Sequence, residues 1–75
     1  MTRGTTATVV LYTGEGCTLC EEAREVLEAL GHPYETATDP AYAERIPVIT
    51  VNGRIVTEGP VNARALRRAL RRDMP

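Results

Sequence analysis

The chain has 75 residues and a formal net charge of −1, which predicts one small domain over residues 1–75 with no global field to attract nucleic acid or membrane. All nine basic residues are Arg and Ser is absent, which excludes a lysine Schiff base and a serine nucleophile, and one His offers little material for a hydrolase. The longest apolar run, residues 9–12, is too short for a signal sequence or a membrane span, so we expect a cytoplasmic protein.

The first half of the chain predicts a tail, a strand, a helix and a second strand. Residues 1–6 are expected to form a flexible N-terminal tail, and residues 8–13 form a strand whose apolar centre suits burial on both faces. Residues 17–30 follow a helical period, because Ala23 and Leu27 recur on one face at about 100° per residue. Gly31 is in the position that ends a helix, and residues 32–38 favour a strand.

The second half predicts a short helix, a β-hairpin and a final helix. Asp39-Pro40 is typical of a helix start, and Asn52-Gly53 is typical of a hairpin turn with positive φ. A helix between the first two strands makes them parallel, whereas the hairpin strands are antiparallel. The predicted fold class is α/β, in the order β-α-β-(short α)-β-β-α, with helices packed on a mixed four-stranded sheet. The hairpin strands are placed at residues 47–51 and 54–57, and the last helix at residues 62–73.

Cys17 and Cys20 are the only cysteines and lie three residues apart at the start of the first predicted helix. Cβ atoms at this spacing are about 5–6 Å apart, so a small adjustment closes a disulfide. The unpaired N–H groups and partial positive charge of the first turn favour a thiolate at Cys17. We therefore assign Cys17 as the nucleophile and Cys20 as the resolving thiol, and expect both sulfurs to be open to solvent. The alternative is a buried structural pair.

Gly16-Cys17-Thr18-Leu19-Cys20 lies at the first strand–helix turn, and Ile46-Pro47-Val48-Ile49 lies at the start of the hairpin. Together with the order of elements, these two motifs resemble the glutaredoxin branch of the thioredoxin fold. The hairpin turn and Glu58-Gly59-Pro60 add to the resemblance, which covers roughly residues 8 to 72 and is strongest to compact bacterial glutaredoxin-like proteins. It implies a thiol–disulfide oxidoreductase that reduces protein or small-molecule disulfides, in electron transfer and cell redox homeostasis.

The resemblance also implies a substrate groove and a cis peptide bond between Ile46 and Pro47. In that geometry the backbone of Ile46 would pair with a substrate chain like an added strand. The alternative for Pro47 is an ordinary proline that opens an edge strand. The residues expected to bind substrate are Gly16, Thr18, Leu19, Ile46, Pro47 and Gly59.

The surroundings of the motif depart from typical glutaredoxins, which carry a basic residue before the first cysteine. Glu15, Glu21 and Glu22 place negative charge here, and glutathione is itself anionic, so we expect weak or absent dependence on glutathione. No cofactor is expected beyond the redox-active disulfide. The expected partners are a disulfide-containing protein or small thiol, and a reductase or low-molecular-weight thiol as electron donor. We expect a monomer that binds neither nucleic acid nor membrane.

Three other readings remain open. A binding module would keep the groove beside Pro47 without turnover. Two chains could also pool their cysteines around zinc or an iron–sulfur cluster, although one chain lacks ligands for zinc, since His32 is about 18 Å along a helix from Cys20. Nucleic acid could bind the Arg side of the last helix, but no aromatic residues are interleaved there, and a solvated face is preferred. The acidic first helix and the basic last helix could instead steer a partner protein. Tyr12 and Tyr34 are expected in the core, whereas Tyr42 could rim the groove.

Overall fold

The computed structural model describes residues 8–73, with side chains to residue 72, so the predicted tail at residues 1–6 lies outside the described residues. Its elements alternate as predicted, with one turn of 3-10 helix, Pro40–Tyr42, in place of the short middle helix. The strands are β1 (Val9–Tyr12), β2 (Glu35–Ala37), β3 (Val48–Val51) and β4 (Arg54–Glu58), and the helices are α1 (Thr18–Leu30) and α2 (Ala63–Asp73).

The four strands form one mixed sheet in the order β2-β1-β3-β4. β1 and β2 are parallel, as the α1 crossover between them requires, and β3 is antiparallel to both β1 and β4. Leu11 lies opposite Ile49, so both side chains leave the same face of the sheet. The mixed four-stranded α/β architecture predicted from the sequence is confirmed.

Several element boundaries differ from the prediction. Cys17 is the N-cap of α1 and not its first helical residue. β2 covers only three residues of the seven predicted, because the chain must first leave the helix at Gly31, where φ is 72°, and pass Pro33, which has no N–H to donate to a ladder. The hairpin turn has positive φ at Asn52 and Gly53, 54° and 85°, as its sequence requires.

Both helices pack on one face of the sheet. The buried cluster takes Val9 and Leu11 from β1, Ile49 and Val51 from β3, Ala23 and Leu27 from α1, and Leu66 and Leu70 from α2. Tyr34 packs against this cluster and donates a hydrogen bond from its hydroxyl to Glu28 Oε2 at 2.8 Å. Burial is the main cause of its raised pKa, and the Glu28 carboxylate adds to the shift. Tyr12 was expected in the core, but it is only half-buried and lies outside the cluster.

Leu27→Ala is expected to lower the free energy of unfolding by about 2–5 kcal/mol, because it removes a fully buried side chain from the contact between α1 and the sheet. Leu19→Ala on the same helix is the matched control, since Leu19 is 38% exposed and its loss should cost well under 1 kcal/mol. Urea denaturation of the oxidised protein measures both. Similar losses for the two variants would mean that α1 is not held by its buried stripe.

Candidate redox site

The paired cysteines lie where the chain passes from β1 into α1. Gly16 has φ of 65°, a conformation that L side chains rarely adopt, and this residue turns the chain into the helix. Cys17 is extended, with φ of −95° and ψ of 100°, and it caps the helix that starts at Thr18. The pair therefore occupies the positive end of a 13-residue helix.

Cys17 and Cys20 are joined by a disulfide, with their Cα atoms 5.2 Å apart. The backbone N–H of Cys20 donates a hydrogen bond to Cys17 Sγ over 3.0 Å, so the sulfur takes the place of the oxygen that usually caps a helix. One of the free N–H groups at the start of α1 is thereby directed at the first sulfur. The close placement expected from the spacing is confirmed.

The two cysteines differ in their exposure to solvent. Cys17 is partly exposed, whereas Cys20 is only 3% exposed. The expectation that both sulfurs are open to solvent is therefore wrong for Cys20. It lies on the buried side of α1 together with Ala23 and Leu27, and helical periodicity carries that side into the core.

A second loop, residues 43–47, precedes β3 and reaches the turn before Cys17. The peptide bond between Ile46 and Pro47 is cis, and Pro47 is fully buried. The N–H of Gly59 donates to the carbonyl of Pro47 at 2.8 Å, which brings the end of β4 to the same loop. A Cβ added at Gly14 would lie 2.7 Å from Ile46 Cδ1, so this glycine admits the Ile46 side chain against the turn that precedes Cys17.

The residues predicted to bind substrate fall into two groups. Gly16, Thr18 and Leu19 are exposed around the disulfide, whereas Ile46, Pro47 and Gly59 form the neighbouring loop contact. Pro47 offers no exposed side chain. Among the backbone hydrogen bonds recorded for residues 8–73, none uses the N–H or the carbonyl of Ile46.

Arg45 organises the second loop, although it was not among the site residues predicted from the sequence. Its guanidinium lies 5.4 Å from the centroid of the Tyr42 ring, 3.6 Å from Glu58 Oε2, and donates to the carbonyl of Ala41 at 3.2 Å. Tyr42 in turn packs edge-on against Tyr12, with ring centroids 4.7 Å apart. The only available signal was the position of Arg45 directly before Ile46-Pro47.

The surface around Cys17 is acidic. Glu15, Glu21 and Glu22 are all exposed, and the one ion pair recorded among the described side chains, between Arg45 and Glu58, involves none of them. Within the part of the chain that the structure places, these three carboxylates therefore have no direct ion-pair partner, and Glu22 faces Arg67 across a cleft.

No group of three or more His, Cys, Asp and Glu side chains among residues 8–73 is placed to hold a metal ion. His32 follows α1, as expected, and its backbone N–H donates to the carbonyl of Leu27 at 3.3 Å. Neither described helix is long and apolar enough to cross a membrane.

Comparison with models of protein families matches residues 8–71 to the family described as Glutaredoxin-like domain (DUF836). The match starts just before β1, ends within α2, and so includes the disulfide, the Ile46–Pro47 loop and Gly59. No curated protein matches the chain.

Gly14→Ala is expected to lower the free energy of unfolding by roughly 1 kcal/mol, because its Cβ would overlap Ile46 Cδ1. Ile46→Val removes that carbon, so the same Gly14→Ala change should cost distinctly less in the Ile46→Val background. Urea denaturation of the wild type, the two single variants and the double variant measures this coupling. Equal losses in both backgrounds would show that the two loops do not touch at this point.

Proposed function

The chain belongs to the glutaredoxin-like domain family, and we propose that it is a thiol–disulfide oxidoreductase working through Cys17 and Cys20. The observation that carries this proposal is the pair itself: two bonded sulfurs at the start of α1, one partly exposed and one buried. A pair that served stability alone would have no need for an exposed sulfur at a helix N-terminus.

Cys17 is the attacking group. It is the more exposed sulfur, and it already accepts the N–H of Cys20 at 3.0 Å. In the reduced protein that hydrogen bond and the helix dipole favour the thiolate, which is the nucleophilic form of cysteine. Because Cys20 is buried, the disulfide of a large substrate cannot reach it for direct attack.

The reaction proceeds in two exchanges. The Cys17 thiolate attacks one sulfur of the substrate disulfide, forms a mixed disulfide, and releases the other substrate sulfur as a thiolate that takes up a proton. Cys20 then loses its proton and attacks Cys17 Sγ, which releases the second substrate thiol. Two electrons pass to the substrate, and the Cys17–Cys20 disulfide that remains must be reduced by an external thiol or a reductase.

We infer that an extended substrate chain binds between the disulfide turn and the second loop. The backbone of Ile46 is free of recorded hydrogen bonds among the described residues and so has a donor and an acceptor to offer. A substrate strand would pair with it, while the exposed Leu19 side chain and the backbone at Gly16 and Thr18 contact the residues around the substrate disulfide. Gly59 supports this wall by holding Pro47.

The cytoplasm is the compartment in which this cycle fits best, because disulfides there are mostly transient and catalytic. The acidic surface formed by Glu15, Glu21 and Glu22 disfavours an anionic thiol as the electron donor. We therefore propose a protein reductase or an uncharged thiol as the donor. The groove and its chemistry need only one copy of the chain.

Cys17→Ser is expected to abolish disulfide reduction, since it removes the nucleophile. Cys20→Ser should retain the first exchange and accumulate a mixed disulfide on Cys17, because no second thiol can resolve it. Insulin reduction with dithiothreitol as donor measures turnover, and mass spectrometry identifies the trapped adduct. A wild type as inactive as Cys17→Ser with several donors would instead support a binding module.

Glutathione should reduce the Cys17–Cys20 disulfide slowly, and neutralising the nearby charge should help it. Glu15→Gln combined with Glu21→Gln is expected to raise the rate with glutathione about 2–5-fold at low salt, and to raise the rate with 2-mercaptoethanol distinctly less, because its attacking thiolate carries one negative charge where that of glutathione carries a net two. Glu25→Gln combined with Glu35→Gln is the control, because it removes the same charge farther from Cys17. A rapid wild-type reaction with glutathione that no variant alters would contradict electrostatic exclusion.

A further inference from the structure

Five guanidinium groups line the outer side of α2, and we call this surface the arginine face. All five side chains are exposed, and at the helical period they spread over about 140° of the helix surface. Its members are Arg64, Arg67, Arg68, Arg71 and Arg72.

Arg71 and Arg72 suit the negative end of the helix dipole in the last turn of α2, but that does not account for the other three members of the arginine face. No ion pair is recorded between the arginine face and a carboxylate among the side chains placed for residues 8–72. Like charges three and four residues apart on a helix destabilise it by about 0.2–0.5 kcal/mol per pair, and this face contains several such pairs. Four members of the arginine face border a surface cleft of about 250 Å³. The fifth, Arg72, borders another cleft of about 270 Å³ together with the exposed side chain of Ile55. An anionic partner would relieve this repulsion.

The chain leads from Gly59, which is bonded to the second loop, directly into the arginine face. α2 begins four residues after Gly59, whose N–H is bonded to the carbonyl of Pro47. The first guanidinium, at Arg64, is on the opening turn of the helix, and the others follow along its length of about 16 Å. A macromolecule that contacts the second loop near Gly59 is large enough to reach the first turn of α2, which starts four residues further along the chain.

We propose that the arginine face is a docking surface for acidic proteins whose disulfides are exchanged at Cys17. This inference rests on the proposed function, because it names the class of substrate for the same two cysteines. The chemistry is the exchange already described, in which two electrons from the Cys17 and Cys20 thiols reduce the partner's disulfide to two thiols. Complementary charge acts on the encounter, by raising the rate at which the partner arrives in the right orientation.

The neighbouring helix favours a protein over a nucleic acid as the partner. A cleft of about 470 Å³ separates α1 from α2, with Glu22 and Glu25 on one side and Arg67 on the other. A phosphate backbone that crossed this cleft would meet carboxylates, whereas a protein can restrict its acidic patch to the width of α2. The arginine face also offers no aromatic ring on which a base could stack.

The test compares two synthetic peptides, each with one intramolecular disulfide, followed by a run of Glu residues in one and Gln residues in the other. The pre-reduced protein should reduce the Glu peptide about 10-fold faster at low salt. This advantage should disappear at about 0.5 M salt, where charges are screened within a few Å. Arg68→Glu should remove most of the advantage and leave the rate with the Gln peptide unchanged.

Arg24→Glu is the matched control, because it changes the net charge by the same amount on α1, outside the arginine face. It should keep most of the advantage for the Glu peptide. Equal rates with the two peptides, or equal losses in the two variants, would overturn the docking surface.

Binding of a labelled, cysteine-free poly-Glu peptide separates the surface from the redox activity, since fluorescence anisotropy needs no disulfide exchange. If neither disulfide peptide is reduced but the labelled peptide binds the wild type more tightly than Arg68→Glu, the proposed function fails and the acidic docking surface stands. No binding at low salt would overturn the surface. Tighter binding of a single-stranded DNA of equal charge would overturn the assignment to an acidic protein.

Discussion

The contact between α1 and the sheet determines where both sulfurs lie. Cys20, Ala23 and Leu27 form one buried stripe on α1, and the last two are fully covered by the strands and by α2. Cys17 precedes this stripe by one turn and continues its line out to the surface as the N-cap. The position of the pair is therefore set by core packing, and only its outer member depends on the turn at Gly16.

The second loop is anchored by the buried Pro47, and its outer part is held by weaker interactions. The ion pair between Arg45 and Glu58 joins side chains that are 49% and 42% exposed, so it contributes at most about 1 kcal/mol. The edge-on pair of Tyr12 and Tyr42 adds a contribution of about 0.5–1.5 kcal/mol. Each is smaller than the cost of emptying a buried leucine site. The disulfide turn is thus fixed to the core through α1, whereas the outer part of the second loop depends on interactions at the surface.

The sequence predicted the features that local physics determines. The apolar period of α1, the turn at Asn52-Gly53 and the parallel pairing of β1 with β2 all follow from spacing, turn chemistry and the handedness of crossovers. The depth of Cys20 also follows from the apolar period of α1, because Cys20 lies on the same side of the helix as Ala23 and Leu27, and the expectation of two exposed sulfurs did not extend that period to the cysteine pair.

Contacts between segments that are distant in the chain could not be predicted from the sequence. Arg45 acquires its role by meeting Glu58, thirteen positions away in the chain, and Tyr42. The approach of Ile46 to Gly14 depends on the register between β1 and β3, which places Tyr12 opposite Val48. Such pairs carry no spacing signal, since their separation reflects the path of the whole chain between them.

The positive charge of the arginine face is not open to a modification that removes the charge of lysine side chains. The charge of this surface is carried by guanidinium groups alone, and the chain contains no lysine whose charge acetylation could remove. Lysine acetylation therefore cannot weaken the attraction that α2 exerts on an anion, whereas a rise in ionic strength does.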